Sequence, residues 1–402
     1  MPWKRGSTCP LPRIPRRRRQ PPILGKRFQP NDRTNRCEII TVTGPSPKAI
    51  AQQIAATCKD LPTISIMEVC GTHTVALHRC GIRSLLPENV RLISGPGCPV
   101  CVSSQGYIDA ACEIARRPNV IVCTYGDMIR VPGRFGSLQD QRAAGADVRV
   151  VYSAMDSLQI ALANPQQEVV FIAIGFETTV AGHAAAVQEA KRRQLPNFSV
   201  LCAQKQVVPA MLALLADPDI AIDGFLCPGH VSVIIGSQAY APVAKLYGKS
   251  CVVAGFEPIQ MLLGIRHLVD QFATGKYVVE NVYQAAVQPE GNRVALGVID
   301  SVFESAAADW RAIGSIPDSG LNLRDEFRDF DAVQRFHIEY GPDYEPPGCR
   351  CGEVIQGKAR PEDCPLFADS CTPLQPVGPC MVSSEGTCAA AYKYGRGVTL
   401  QS

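Results

Sequence analysis

The chain has 402 residues, 46% of them hydrophobic and 19% charged, a composition suited to two or three packed domains. No run reaches the ~18 uninterrupted apolar residues of a membrane span, and no apolar segment follows the arginines near the start as a secretory signal requires. The net charge of +3 hides an asymmetry: eleven Lys and Arg against Asp32 give residues 1–36 a local +10, so the rest of the chain carries −7 and the overall charge gives no reason to expect nucleic acid as a partner.

Residues 1–46 form a basic, Pro- and Arg-rich leader without amphipathic period, read as a disordered tail or an over-extended start of translation. Residues 47–152 read as a first α/β domain, with a helix at 47–58 and buried strands at 64–69, 90–94, 120–124 and 148–152. A second α/β domain spans 153–275, with strands at 169–174, 198–203, 224–227 and 251–254. These runs are apolar on both faces and separated by helical stretches, the signature of parallel sheets. Weak internal echoes tie IMEVCGTHT to IAIGFETTV and LISGPGCPV to FLCPGHVSV. The expected architecture is therefore two similar parallel-sheet α/β domains flanking a cleft, with function in the loops at the carboxyl ends of the strands. Residues 276–402 complete the chain: helices are expected at 277–287 and 291–303, then acidic and Pro/Gly-rich stretches, then a compact cysteine-rich domain with few large apolar residues, which a bound metal would hold together.

Cysteine is the chemistry-bearing residue. Without a signal peptide the eighteen cysteines belong in a reducing cytoplasm, where such density means metal or redox work more often than structural disulfides. Six lie between Cys349 and Cys388 with the spacing C-x-C-x12-C-x6-C-x8-C-x7-C. This is neither the paired C-x-x-C of a zinc ribbon nor the ferredoxin run. Six thiols can supply four ligands to an iron–sulfur cube and leave two as a dithiol; structural zinc would use four and leave two without a role. Upstream, Cys70 ends an apolar strand and precedes Gly71, Thr72, His73 and Thr74. A thiol at the start of a helix there should have its pKa lowered. His73 is a candidate ligand, general base or donor to a group held at Cys70. Cys98 and Cys101 form a C-x-x-C after Gly95-Pro96-Gly97, either a redox dithiol or half of a metal site. With Cys70 they would make a three-thiolate site with open positions, suited to Fe(II). Asp127, Arg130, Glu177, Thr178, Thr179, His230 and Glu257 occupy other Gly-containing loops, for proton transfer or for ordinary helix capping.

Taken together, MEVCGTHT, LISGPGCPVC, TYGDMIRVPG, IGFETT, CPGHVSVIIG, AGFEP and the tail CGEVIQGKARPEDCPLFADSC with MVSSEGTCAA closely resemble the HypD family of [NiFe]-hydrogenase maturation factors, from about residue 47 to about 395. The resemblance implies a cytoplasmic scaffold rather than a conventional enzyme. With the small chaperone HypC it would hold iron while cyanide, delivered from HypE, and carbon monoxide are attached, and the Fe(CN)2CO unit would pass to the hydrogenase large subunit. It implies that Cys70, Cys98 and Cys101 hold the iron, that Cys351, Cys364, Cys371 and Cys388 bind a [4Fe-4S] cluster, and that Cys349 and Cys380 are the redox dithiol. The rival reading is an iron–sulfur thiol–disulfide oxidoreductase acting through Cys98 and Cys101.

Overall fold

The computed structural model describes residues 45–395; residues 1–44, nearly all of the leader read from the sequence, lie outside the described residues. The first helix, Pro47–Cys58, starts where the sequence dictates. The Ser46 hydroxyl accepts from the Ala49 N–H at 3.2 Å, Pro47 opens the first turn, and Ile50, Ile54 and Cys58 share the buried face.

Nine strands then build two parallel sheets. The strands are β1 (Ile64–Glu68), β2 (Val90–Ser94), β3 (Val120–Thr124), β4 (Asp147–Val150), β5 (Glu168–Gly175), β6 (Phe198–Gln204), β7 (Gly224–Pro228), β8 (Ser250–Ala254) and β9 (Val279–Asn281). One sheet runs β2-β1-β7-β8-β9 and the other β4-β3-β5-β6. Every neighbouring pair in both is parallel.

The sheets do not follow the linear division expected at 152/153. Strands β3 and β4, before that point, pair with β5 and β6 after it, whereas β7 returns to β1 with Ile66 opposite Gly224. A buried parallel strand is apolar whichever sheet it joins, so its local pattern carries no record of its partner. Counted by first appearance, each sheet begins 2-1-3-4. The order of the chain therefore reverses between β1 and β7 in one sheet and between β3 and β5 in the other, where α/β sheets place their ligand crevices. Position for position, β1 corresponds to β3 and β7 to β5, which is not the correspondence suggested by the sequence echoes.

Alternation across the strands assigns their faces. Met67, Phe225 and Val253 of the first sheet join Val122, Val170 and Ile172 of the second in one shared core. Their alternates, Ile66, Leu226 and Val252 on one side and Ile121, Phe171 and Ala173 on the other, pack into separate outer cores. The antiparallel hairpin β10 (Phe303–Trp310) and β11 (Gly314–Leu323) follows. Neither this hairpin nor β9, which lies inside the expected helix at 277–287, was legible as strand. The sequence of β10, FESAAADW, lacks β-branched residues and owes its extension to pairing. The expected helix at 291–303 is observed as Arg293–Val302. Val354, Ile355, Met381 and Val382 of the cysteine-rich end enter the shared core. Among the described residues no helix is long and apolar enough to cross a membrane.

Candidate metal-handling site

Cys70 lies at the carboxyl end of β1 and caps the helix Gly71–Arg79; Cys98 lies at the end of β2 and caps the short helix Pro99–Val102. The two loops touch. The Gly71 N–H donates to Gly97 O at 3.1 Å, and a Cβ on Gly97 would come within 2.2 Å of the Cys70 backbone nitrogen, so only glycine permits the crossing. The Cys98 sulfur accepts from the Cys101 N–H at 3.3 Å, and the two cysteines are joined in a disulfide with Cα atoms 5.3 Å apart. Cys70 is a buried free thiol.

The pKa expected for Cys70 does not hold. Burial pushes its thiol up to about 11, outweighing the His73 and Thr72 N–H groups that favour the thiolate, and the Glu385 carboxylate pushes the same way. The helix N-terminus is present, but desolvation exceeds it. A metal ion replacing the proton would reverse the balance.

The His73 ring is tied to the loop after β8. Its Nε2–H donates to Gly255 O at 3.0 Å, and it packs on Phe256 with ring centres 4.7 Å apart; His230 covers the same phenyl ring at 4.1 Å. Burial lowers the His73 pKa to about 4, so the ring is neutral at physiological pH and its buried Nδ1 keeps a free lone pair.

A third segment closes the site. Asp127 Oδ2 accepts from the Ser384 N–H at 3.0 Å and from the Ser383 and Ser384 hydroxyls, while Arg130 Nη2 donates to Val382 O at 3.0 Å. This fixes Glu385, whose Oε1 accepts from the Thr72 hydroxyl at 2.6 Å and whose Cβ lies where a side chain on Gly71 would stand. Glu385 thus sits against the Cys70 loop. Sequence reasoning quoted its motif, MVSSEGTCAA, but gave the residue no role, because 313 residues separate it from Thr72. The site opens on a groove of about 720 Å³ lined in part by Thr72, Val75, Arg130, Met381, Glu385 and Tyr394.

The terminal cysteines converge behind this face. Cys349, Cys351, Cys364, Cys371, Cys380 and Cys388 line one small apolar pocket with Phe367 and Met381. The Cys388 N–H donates to the Cys380 sulfur at 3.3 Å. The neighbouring Cys351 thiol, followed by burial, holds the Cys349 thiol far above its ordinary range. The Val377 N–H donates to the Cys371 sulfur at 3.3 Å. The two cysteine groups meet through Cys101, whose sulfur lies 3.9 Å from Pro379 O, next to Cys380. As they stand, no three His, Cys, Asp or Glu side chains among the described residues adopt a metal-ligating arrangement. The donor set itself, six thiols facing one apolar pocket with backbone N–H groups on the sulfurs, fits an iron–sulfur group.

The sequence profile of HypD, described as the hydrogenase formation hypA family, matches residues 46–395. The hydrogenase maturation factor HypD of Cupriavidus necator is 47% identical over 361 residues, covering 88% of this chain and 95% of the relative. That of Escherichia coli is 47% identical over 332 residues, 82% of this chain and 89% of the relative. HypD2 of Bradyrhizobium diazoefficiens is 46% identical over 355 residues, 86% and 93%. The chain belongs to the HypD family. Its general role is in hydrogenase maturation.

Other loop residues singled out in this HypD-family chain are more ordinary. Glu257 caps the helix Pro258–Thr274 in a box with Gln260, and the Thr179 hydroxyl donates to Phe176 O; Thr178 is exposed. Glu177 differs. Its Oε1 accepts from the Val207 N–H at 3.0 Å, its Oε2 has no partner, and burial pushes its pKa up to about 7 from an ordinary 4.5. A raised carboxyl pKa means that stability is full below about 4.5 and is lost as pH rises through 7. The loss should approach about 3 kcal/mol, at 1.36 kcal/mol per unit. Glu177→Gln should therefore remove most of the fall in denaturation midpoint between pH 5 and pH 8; a fall as large as in wild type would show that another group causes it.

Proposed function

We propose that this chain is the scaffold on which, together with HypC, iron is held while cyanide from HypE and carbon monoxide are attached, giving the Fe(CN)2CO group destined for the hydrogenase large subunit. Cys70, Cys98 and Cys101 hold the iron, once the Cys98–Cys101 disulfide is reduced. Thiolates supply the electron density that a low-spin Fe(II) with strong-field ligands requires. The work belongs in the cytoplasm, where thiols remain reduced.

The observation that carries this reading is the meeting of three segments at one face: the Cys70 loop, the Cys98–Cys101 loop and the 379–388 segment of the cysteine-rich end, joined at Gly97, Glu385 and Pro379. Cyanide leaves a thiocyanate carrier by R–S–CN + 2 e⁻ → R–S⁻ + CN⁻, so electrons must reach this face. Cys351, Cys364, Cys371 and Cys388 are proposed to hold a [4Fe-4S] cluster, which when bound would store electrons. Oxidation of Cys349 and Cys380 to a disulfide would release two electrons and two protons. The convergence of all six cysteines on one small pocket supports communication between its members. Glu385, against Gly71 and accepting from the Thr72 hydroxyl, would supply a carboxylate beside the Cys70 loop for proton handling.

Infrared spectra of the protein co-expressed with HypC and HypE test the proposal. Bands of metal-bound cyanide and carbon monoxide are expected, and their loss when Cys70 is replaced; a spectrum without them sinks the scaffold reading. The Cys98–Cys101 disulfide favours one second reading, a thiol–disulfide oxidoreductase. That reading requires reversible two-electron cycling of the pair without added iron and no such bands.

A further inference from the structure

Arg311 occupies the turn of the β10–β11 hairpin, between the two cysteine groups. Its backbone N–H donates to Val102 O at 3.0 Å, at the end of the helix that carries Cys101. The next residue, Ala312, accepts at its carbonyl from the Gln356 side chain at 2.8 Å. It packs so tightly on the helix Cys351–Ile355 that a Cβ on Gly352 would stand 2.2 Å from Ala312 Cβ. Arg311 is thus wedged between the iron-holding loop and the cysteine pocket, and it is 1% exposed.

Its hydrogen bonds are few and neutral. Nε donates to Ser103 O at 2.9 Å and Nη1 to Gln105 Oε1 at 3.1 Å, while the buried Nη2 has no partner. Among the described residues no carboxylate forms an ion pair with it. A guanidinium keeps its charge, and burying it without an anion is costly. Across the Ala312–Gly352 contact lies the helix Cys351–Ile355, whose first residue lines the thiol pocket.

We propose that Arg311 is the buried counter-charge of the cysteine pocket and raises the reduction potential of the iron–sulfur group held there. The inference rests on the reading that the pocket binds such a group. A fixed positive charge in a low-dielectric interior favours the more negative, reduced state of its neighbour. Arg311 acts on the potential and does not ligate.

The test is a spectroelectrochemical titration of anaerobically purified full-length wild type, Arg311→Gln and Arg311→Lys, with iron and sulfide analysis of each. Arg311→Gln should keep its iron and sulfide and shift the reduction equilibrium at least tenfold toward the oxidised form, about 59 mV more negative for a one-electron couple. Arg311→Lys, which keeps the charge, should stay within about threefold of wild type, about 28 mV on the same scale. If Arg311→Gln does not fold, the lysine variant decides: a tenfold shift with the charge retained overturns the proposal, and so does loss of the cluster from folded Arg311→Lys. Wild type carrying a cluster alongside an Arg311→Gln equilibrium within twofold of it overturns this inference alone. Wild type without iron and sulfide overturns the cluster reading, and this inference with it.

Discussion

Cys388→Ala should purify without iron or sulfide and be cut by protease between residues 349 and 388. Cys388 opens the helix Thr387–Tyr394, donates its N–H to the Cys380 sulfur at 3.3 Å, and faces the pocket that the other five cysteines line. The segment has little apolar core of its own, so metal binding would supply much of its order; for small metal-stabilised folds that contribution is on the order of 10 kcal/mol. The damage should spread, because the same helix packs on Gly71–Arg79 and carries Glu385 at its entry. Cys364→Ala should behave alike. Cys380→Ala is the informative contrast. If Cys380 belongs to the dithiol, its replacement keeps the cluster absorption near about 400 nm and slows cyanide attachment. Unchanged iron and sulfide in Cys388→Ala would show that the ligand set is drawn wrongly.

Cys70→Ala should do the reverse. Cys70 is not among the residues that line the thiol pocket, so iron and sulfide content should equal wild type. Removing one buried thiol should cost only about 1–2 kcal/mol. Maturation, however, should cease: a strain relying on this variant should show no hydrogenase activity, because neither Cys98 nor Cys101 replaces the sulfur at the end of β1. Near wild-type hydrogenase activity would remove Cys70 from the iron-holding set.

Much of this arrangement was legible in the sequence. Eight strands and the helix Pro47–Cys58 fall within two residues of where apolar runs and Ser46-Pro47 place them, because buried parallel strands and capped helices are written locally. The loops bearing Cys70, Cys98 and Cys101 could be found for the same reason. Three things were not local. Sheet membership depends on pairing over long separations, as between Ile66 and Gly224. The thiol pKa of Cys70 depends on burial by segments far along the chain, Glu385 among them, so a rule about helix ends gave the wrong direction. Arg311 reads as an ordinary hairpin arginine until its burial beside Gly352 is seen.

The departure of the chain from its first sheet after β2, and its return at β7, also sets an order of events during synthesis. β3 to β6 are contiguous and can pair as soon as residue 204 has emerged, whereas β1, paired early with β2, waits for residues 224–228 to cover its other edge and the face beside Cys70 waits for residues 379–388. Domains form as their chain segments become available. A nascent chain halted at residue 215 should therefore protect 120–204 from protease and leave Cys70 open to alkylation. The face beside Cys70 would be completed only once residues 379–388 have emerged, so that a shorter nascent chain lacks the Glu385 contact with Thr72.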